Sequence, residues 1–141
     1  VAVDGTRLAI AVPTTYTNES GQAAVALVRR YGIEDSQRLV VVHDELDLPP
    51  GRIKVKLGGG LAGHNGLKSI DAHLHTRDFG RVRIGVGKPP TSQAGRDHVL
   101  RRAGKAEQAV IDETIERAAD AVEVILADGF AAAMERFNAT S

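Results

Sequence analysis

The sequence contains no cysteine and no tryptophan, and its only aromatic residues are two Tyr and three Phe. The absence of cysteine excludes disulfide frameworks, zinc fingers, iron–sulfur clusters and thiol catalysis. With so few aromatic residues the core must be aliphatic, and base stacking is not the main mode of any nucleic-acid contact. No apolar run reaches about 18 residues and no charged segment precedes an apolar one, so we expect a cytoplasmic protein.

The rest of the composition is that of a folded domain. Among 141 residues, 43% are hydrophobic and 26% charged, which is ordinary for a chain that buries its own core. We find no linker, low-complexity stretch or internal repeat, so residues 1–141 are predicted to form one domain.

A net charge of zero conceals a segregation of charge along the chain. Residues 1–51 carry 4 basic and 7 acidic side chains, residues 52–105 carry 12 and 3, and residues 106–141 carry 2 and 8. A basic middle between acidic flanks indicates a polyanionic ligand. The alternative, a solvated basic face without a ligand, fits the composition equally well.

Strand and helix patterns alternate along the chain. Apolar residues at helical spacing predict helices near residues 20–31, 65–75, 106–127 and 130–137. The apolar run Leu39–Val42 predicts a strand buried on both faces, and alternation predicts strands at 52–57 and 81–86. Strands at 1–3 and 6–12 are predicted on either side of a turn. Asp4-Gly5 predicts a hairpin turn. The expected fold is α/β, a single three-layer domain with a twisted mixed β-sheet flanked by helices. The long helix should bury Val110, Ile111, Ala118, Val122 and Ile125.

The segment 43–47 (HDELD) comes directly after the buried strand. Ligands of open α/β sheets bind at the carboxyl ends of strands, and a carboxylate there can orient a catalytic imidazole. The side chains of His43 and Asp44 should diverge in an extended segment, so an imidazole oriented by Asp44 would come from elsewhere. Alternatively, these acids solvate a loop or bind a cation.

The segment 58–66 (GGGLAGHNG) holds five glycines in nine residues. Such a loop lets the backbone approach a ligand closely or move as a gate, but its spacing matches neither a P-loop nor a dinucleotide fingerprint. Asn65 either caps the following helix or presents its amide to a substrate. Asn18 and Ser20 lie at the start of the helix predicted near residues 20–31. For them, capping of that helix is a better interpretation than ligand binding. The five histidines show no metal-binding spacing, and His64 is the one expected to line a site.

Basic side chains recur along two predicted strands. Lys54 and Lys56 share the outer face of one strand, and Arg81 and Arg83 share one face of another. Alternate residues lie about 7 Å apart along a strand, which suits contact with the phosphates of a nucleic acid. We expect phosphate contact without sequence reading.

Four segments, in this order, resemble the bacterial peptidyl-tRNA hydrolases: 13–21 (PTTYTNESG), 43–51 (HDELDLPPG), 56–70 (KLGGGLAGHNGLKSI) and 81–87 (RVRIGVG). The resemblance implies a monomeric α/β domain that hydrolyses the ester between a peptide and the 3′ end of tRNA, without metal or organic cofactor. It implies that Asp44 orients the catalytic histidine, that Asn18 and Asn65 hold the substrate, that His64 belongs to a gate loop, and that Lys56 and Arg83 contact tRNA phosphate. We add Tyr16 as a substrate-binding candidate and Lys54, from its place on the basic strand, as a tRNA-binding candidate.

The sequence departs from the family at its start. The family begins with a strand and a loop of pattern GLGNPG…Y…TRHN, which carries the catalytic histidine, and none of the five histidines here matches it. We therefore expect substrate binding with poor turnover, and an exposed apolar sheet edge. A truncated form of a normal enzyme is the favoured interpretation. One alternative is an inactive relative that binds RNA; plant organelle members of the family, which act in RNA splicing, resemble this case. The other is that another chain supplies the missing segment. A smaller departure is Thr17, where the family usually has Met.

Overall fold

The structure, a computed structural model, describes residues 2–3, 5–14, 16, 19–61, 63–87 and 105–138. The chain divides into two compact units, which we call the helix-pair unit (Val1–Val41 with Leu57–Gly80) and the sheet unit (Val42–Lys56 with Arg81–Ser141). In chain order the elements are β1 (Ala2–Val3), β2 (Thr6–Arg7), α1 (Ser20–Arg30), a 3₁₀ turn (Ser36–Arg38), β3 (Val40–Glu45), β4 (Ile53–Leu57), α2 (Asn65–Leu74), β5 (Gly80–Gly85), α3 (Lys105–Asp128) and α4 (Phe130–Asn138).

A short hairpin opens the helix-pair unit. Val3 pairs with Thr6, which leaves a two-residue connection, and Gly5 takes a φ of +80° there, as the Asp-Gly turn predicts. The predicted strand over 6–12 is wrong beyond residue 7. Ile10 and Val12 are 73% and 85% exposed, so the apolar character of this segment does not lead to burial.

The core of the helix-pair unit forms where α1 and α2 pack together. It contains Ala24, Leu67, Ile70 and Phe79, with Leu39 from the start of the third strand region. Gly21 lets the two helices approach closely, because a Cβ there would overlap the Ser69 carbonyl and the His73 ring. The Gly21 N–H donates to the Ser69 hydroxyl at 2.8 Å, so α2 also satisfies one of the open donors of the first turn of α1.

The sheet has the strand order β3–β5–β4, which makes β5 central. The Gly85 N–H donates to the Arg52 carbonyl at 2.8 Å, and the Gly58 N–H donates to the Phe79 carbonyl at 3.0 Å. From the first of these bonds to the second, the residue number rises by six on the β4 side and falls by six on the β5 side. The two strands are therefore antiparallel and without a bulge.

The pairing of β5 with β3 runs the other way. The Gly80 N–H donates to the Leu39 carbonyl at 2.8 Å, and the Val86 N–H donates to the Glu45 carbonyl at 3.1 Å. Residue numbers rise together on both strands, so this pair is parallel. The predicted mixed sheet of an α/β fold is confirmed.

The helices of the sheet unit bury small side chains. On α3 the buried residues are Thr114, Ala118, Ala121 and Ile125, a stripe at helical spacing. Thr114 Oγ1 donates to the Val110 carbonyl at 2.7 Å, which satisfies a buried hydroxyl. The expected burial of Ala118 and Ile125 is confirmed, and Ile111 and Val122 are half-buried. The expected burial of Val110 is wrong: it is 39% exposed, because it lies one turn before the stripe begins.

The last turn of α4 closes part of the edge strand β4. Asn138 Oδ1 accepts from the Val55 N–H at 2.7 Å, and Asn138 Nδ2 donates to the Val55 carbonyl at 2.8 Å. One amide side chain thus makes both hydrogen bonds that a neighbouring strand would make. Within the described residues, no helix is long and apolar enough to cross a membrane.

We predict that Gly21→Ala destabilises the chain by about 3 kcal/mol, since the new methyl group overlaps main-chain and ring atoms that cannot move independently. Urea unfolding followed by circular dichroism measures this. Gly60→Ala is the matched control, because nothing lies within 4 Å of a Cβ at that position. Equal effects of the two substitutions would contradict the close packing of α1 on α2.

We predict that Asn138→Ala lowers the free energy of unfolding by about 2 kcal/mol, because it leaves the main-chain donor and acceptor of buried Val55 without their partners. Asn138→Asp keeps an acceptor for the N–H and should cost less when measured in the same urea titration. The interpretation fails if alanine is tolerated as well as aspartate.

Candidate active site and phosphate-binding face

Asp44 lies inside a strand and not in the loop that follows one. β3 continues to Glu45, so the expectation that the strand ends at Val42 is wrong. The polar residues prolong the strand because their main-chain groups continue the ladder, as the Glu45–Val86 hydrogen bond shows. Asp44 is thus held by a paired strand near its carboxyl end, where ligands of α/β proteins bind.

Side chains along β3 alternate between the two sides of the sheet. His43 and Glu45 are 8% and 7% exposed, and Asp44 is half-buried on the opposite side. His43 Nδ1 donates to the main-chain carbonyl of Asp44 at 2.8 Å. The imidazole of His43 thus contacts the main chain of its neighbour, and the two side chains leave the strand in opposite directions, as expected.

The register of β4 and β5 places basic side chains opposite one another. Because Arg52 pairs with Gly85 across this antiparallel ladder, Lys54 lies opposite Arg83 and Lys56 lies opposite Arg81. Directly opposite residues share a face, so these cations are neighbours across the strands as well as along them. We call this surface the cationic face; its members are Arg52, Lys54, Lys56, Arg81 and Arg83.

Exposure is unequal across the cationic face. Arg52 is exposed, Lys54 and Lys56 are half-buried, and Arg81 is fully buried. The expectation that β5 presents a solvent-facing row of arginines is wrong for Arg81. Sequence alternation predicts a strand with one exposed face, but β5 is the central strand of the described sheet and is covered more completely than an edge strand.

Arg83 faces a carboxylate on the neighbouring strand. Arg83 Nε lies 3.7 Å from Glu45 Oε1, and the two side chains are only 12% and 8% exposed. Glu45 Oε2 also accepts from the Asp47 N–H at 3.5 Å. Glu45 therefore belongs to the cationic face by position, and its charge offsets part of the repulsion among the cations.

Asp44 lies on the other side of the sheet from the cationic face. The ion pair places Glu45 on the same side as Arg83, and alternation then places Asp44 on the opposite side. Asp44 shares that side with Val42, which is 48% exposed. The carboxylate of Asp44 and the cationic face therefore lie on opposite sides of one sheet.

In the helix-pair unit, His64 has the capping role that the sequence suggested for Asn65. His64 is the N-cap of α2, and its Nδ1 accepts from the Leu67 N–H at 3.3 Å. Asn65 is the first helical residue, and its side chain is exposed. The capping prediction for Asn65 is wrong because the preceding imidazole takes the cap, and the amide of Asn65 stays at the surface beside the helix N-terminus.

Gly66 allows the His64 ring to fold back over the start of α2. A Cβ at residue 66 would lie 2.9 Å from Cε1 of that ring and 3.4 Å from the Ser20 hydroxyl. Gly63, just before the cap, has a φ of +70°, which glycine adopts without strain. The glycine-rich sequence therefore serves the capping geometry, whatever else it contacts.

The start of α1 holds the remaining candidates. Tyr16 is 81% exposed, and its carbonyl accepts from the Glu19 N–H at 2.8 Å. Asn18 and Thr17 lie outside the described residues. Glu19 occupies the N-cap position and makes no side-chain capping bond, and Ser20 is the first helical residue. Ser20 is thus not the cap that the sequence suggested.

The predicted site residues fall in two groups within the described chain. The sheet unit holds Asp44, Lys54, Lys56 and Arg83, and the helix-pair unit holds Tyr16, His64 and Asn65. Sequence reasoning missed the partnership of Glu45 with Arg83, because 38 residues separate them and only the sheet register reveals it. Among the described residues, no group of three or more His, Asp or Glu is placed to hold a metal ion.

Comparison with known proteins identifies relatives over nearly the whole chain. The sequence is 50% identical to the peptidyl-tRNA hydrolase of Cutibacterium acnes over 97% of the chain and 68% of that protein. It is 43% identical to the peptidyl-tRNA hydrolase of Chloroflexus aggregans over 96% of the chain and 72% of that protein.

A solved structure has the same fold. The structure matches that of peptidyl-tRNA hydrolase from Acinetobacter baumannii with a TM-score of 0.81 and 39% identity, over 90% of this chain. The chain spans 64% of that structure's length, which is less than two thirds. The family sequence model for peptidyl-tRNA hydrolase matches residues 1–141. With the family model matched from end to end, this chain belongs to the peptidyl-tRNA hydrolase family.

Proposed function

We propose that the protein hydrolyses the ester that joins a peptide to the 3′ end of tRNA. Family membership supports this reaction. The observation that carries it for this chain is the placement of Asp44 near the carboxyl end of β3, with a cationic face on the other side of the same sheet. A substrate that is an ester at one end and a polyanion along its length needs both kinds of surface.

The proposed role of Asp44 is to orient a catalytic base. Ester hydrolysis at neutral pH needs a group that removes a proton from the attacking water, and imidazole is the usual one. A carboxylate beside the imidazole fixes its tautomer and stabilises its charged form. His43 does not suit this role, because its ring lies on the other side of β3 and bonds to a main-chain carbonyl.

We assign substrate positioning to polar groups of the helix-pair unit. The exposed amide of Asn65 can donate to a carbonyl of the ester or of the peptide, and Asn18 is proposed to do the same. Tyr16 and His64 complete this set. Because His64 also caps α2, a change at His64 would alter the orientation of Asn65 as well as any contact of its own.

Binding of tRNA is assigned to the cationic face. Lys54 and Lys56 are half-buried, so their alkyl stems are held while the ammonium groups reach phosphate. Arg83 lies opposite Lys54 and extends the surface across two strands. No base-reading arrangement is proposed, since phosphate contacts carry no sequence information.

A second candidate is a protein that binds tRNA or another RNA without hydrolysing it. It is favoured by one observation, that the basic residues of the family motifs lie together on two adjacent strands. For either function we propose a monomer that acts in the cytoplasm.

Incubation with peptidyl-tRNA of a chain that also carries the family's N-terminal histidine loop separates the two candidates. Release of free tRNA, followed on an acidic gel that preserves the ester, supports the hydrolase. Salt-dependent binding without release supports the RNA-binding alternative. A folded chain that neither releases nor binds tRNA would exclude both.

In a chain that also carries the family's N-terminal histidine loop, we predict that Asp44→Asn lowers turnover of peptidyl-tRNA by about 10²–10⁴-fold, because the amide no longer stabilises the imidazolium. The affinity for deacylated tRNA should hardly change, since Asp44 faces away from the cationic face. Turnover is measured by release of tRNA, and affinity by a filter-binding assay. Asp47→Asn makes the same chemical change two residues from the strand end and is the control. Equal losses in the two variants would contradict the assignment.

We predict that Lys54→Ala and Lys56→Ala each weaken tRNA binding and reduce the slope of log K against log salt by about 0.7–0.9, the change expected for one lost phosphate contact. Arg29→Ala, which removes one exposed cation from α1, is the control and should leave the slope unchanged. Unchanged slopes in both lysine variants would show that phosphate binds elsewhere.

A further inference from the structure

We infer that Glu45 is a positioning residue for phosphate binding: it holds the guanidinium group of Arg83 in place on the cationic face and links it to the strand end that carries Asp44. This inference rests on the proposed binding of tRNA. It assigns a role to an acidic residue within a surface that otherwise attracts a polyanion.

The contact of Glu45 with Arg83 is made at the base of the guanidinium group. Glu45 Oε1 lies 3.7 Å from Nε of Arg83, and the two terminal nitrogens lie further along the side chain. At this distance the contact is an ion pair and not a hydrogen bond, so Glu45 attracts the guanidinium group toward the strand end by charge. An arginine side chain loses conformational entropy when it becomes ordered. Ordering Arg83 before the ligand arrives reduces that loss on binding.

Glu45 is itself held from two directions. Its carbonyl accepts from the Val86 N–H at 3.1 Å, which joins it to the strand of Arg83. Its second carboxylate oxygen lies 3.5 Å from the Asp47 N–H, which joins it to the turn after β3. Because the side chain is only 8% exposed, its motion is restricted between Arg83 and the end of β3.

Charge alone predicts the opposite behaviour for this residue. Lys54 lies opposite Arg83, and like charges in that arrangement repel each other. A carboxylate beside them lowers the repulsion but also lowers the attraction for phosphate. If Glu45 acted only through its charge, removing the charge would strengthen the binding of a polyanion. If it positions Arg83, removing the charge weakens binding.

A double-mutant cycle on the full chain, with deacylated tRNA as the probe and salt titration as the readout, separates these roles. We expect Glu45→Gln to weaken binding by about threefold to tenfold and to reduce the salt slope by about 0.7–0.9, as Arg83→Gln does. The double variant should bind no more weakly than either single one, because both remove the same contact. Glu116→Gln, the same change at an exposed glutamate on α3, is the control and should not reduce the slope.

A second variant keeps the test decisive if Glu45→Gln does not fold, as judged by circular dichroism. Arg83→Lys retains the charge but lacks the Nε that lies 3.7 Å from Glu45 Oε1. We expect it to lose binding as Arg83→Gln does; binding equal to wild type would overturn the inference. Unchanged or tighter binding by folded Glu45→Gln would also overturn it. A wild-type chain that binds no tRNA would overturn the proposed function together with this inference, whereas wild-type binding with an unchanged slope in Glu45→Gln would overturn this inference alone.

Discussion

The hydrogen-bond register of β5 between its two neighbours determines the chemistry of the sheet. β5 is parallel to β3 and antiparallel to β4. In both ladders the register stays constant from the first described hydrogen bond to the last. If β5 slipped by one residue against both neighbours, each of its side chains would move to the other side of the sheet. The lysines of β4 would then face away from the arginines of β5, and Asp44 would join the cations. Two chemically distinct surfaces therefore depend on one alignment of main-chain groups.

The cationic face depends on how its charges are balanced. Five basic side chains on two adjacent strands would repel one another if all were in water, and more strongly where they are buried. Their exposure ranges from exposed Arg52 to fully buried Arg81. The carboxylate of Glu45 lies against Arg83, whose exposure is intermediate. The exposed members of the cationic face are the ones in contact with solvent, and the buried ones pack within the sheet unit.

The sequence predicted the elements better than it predicted their ends and their partners. Apolar periodicity located both helices of the helix-pair unit and both basic strands, because those patterns are local. It failed at β3, which continues through three polar residues, because main-chain pairing and not side-chain polarity decides where a strand ends. It failed at Arg81, since alternation cannot tell a central strand from an edge strand. It also offered Asn65 as one possible cap of α2 and did not consider His64, whose imidazole takes that position.

The amide of Asn138 on Val55 has a consequence for how the protein avoids self-association. Among the described strands β4 is an edge, and an edge strand offers open main-chain donors and acceptors to the edges of other molecules. The last helix carries a side chain that occupies one donor and one acceptor in the middle of that edge. Until α4 docks during folding, the strand remains a template for intermolecular pairing. The speed of that final docking therefore sets how long the newly made chain is vulnerable to aggregation.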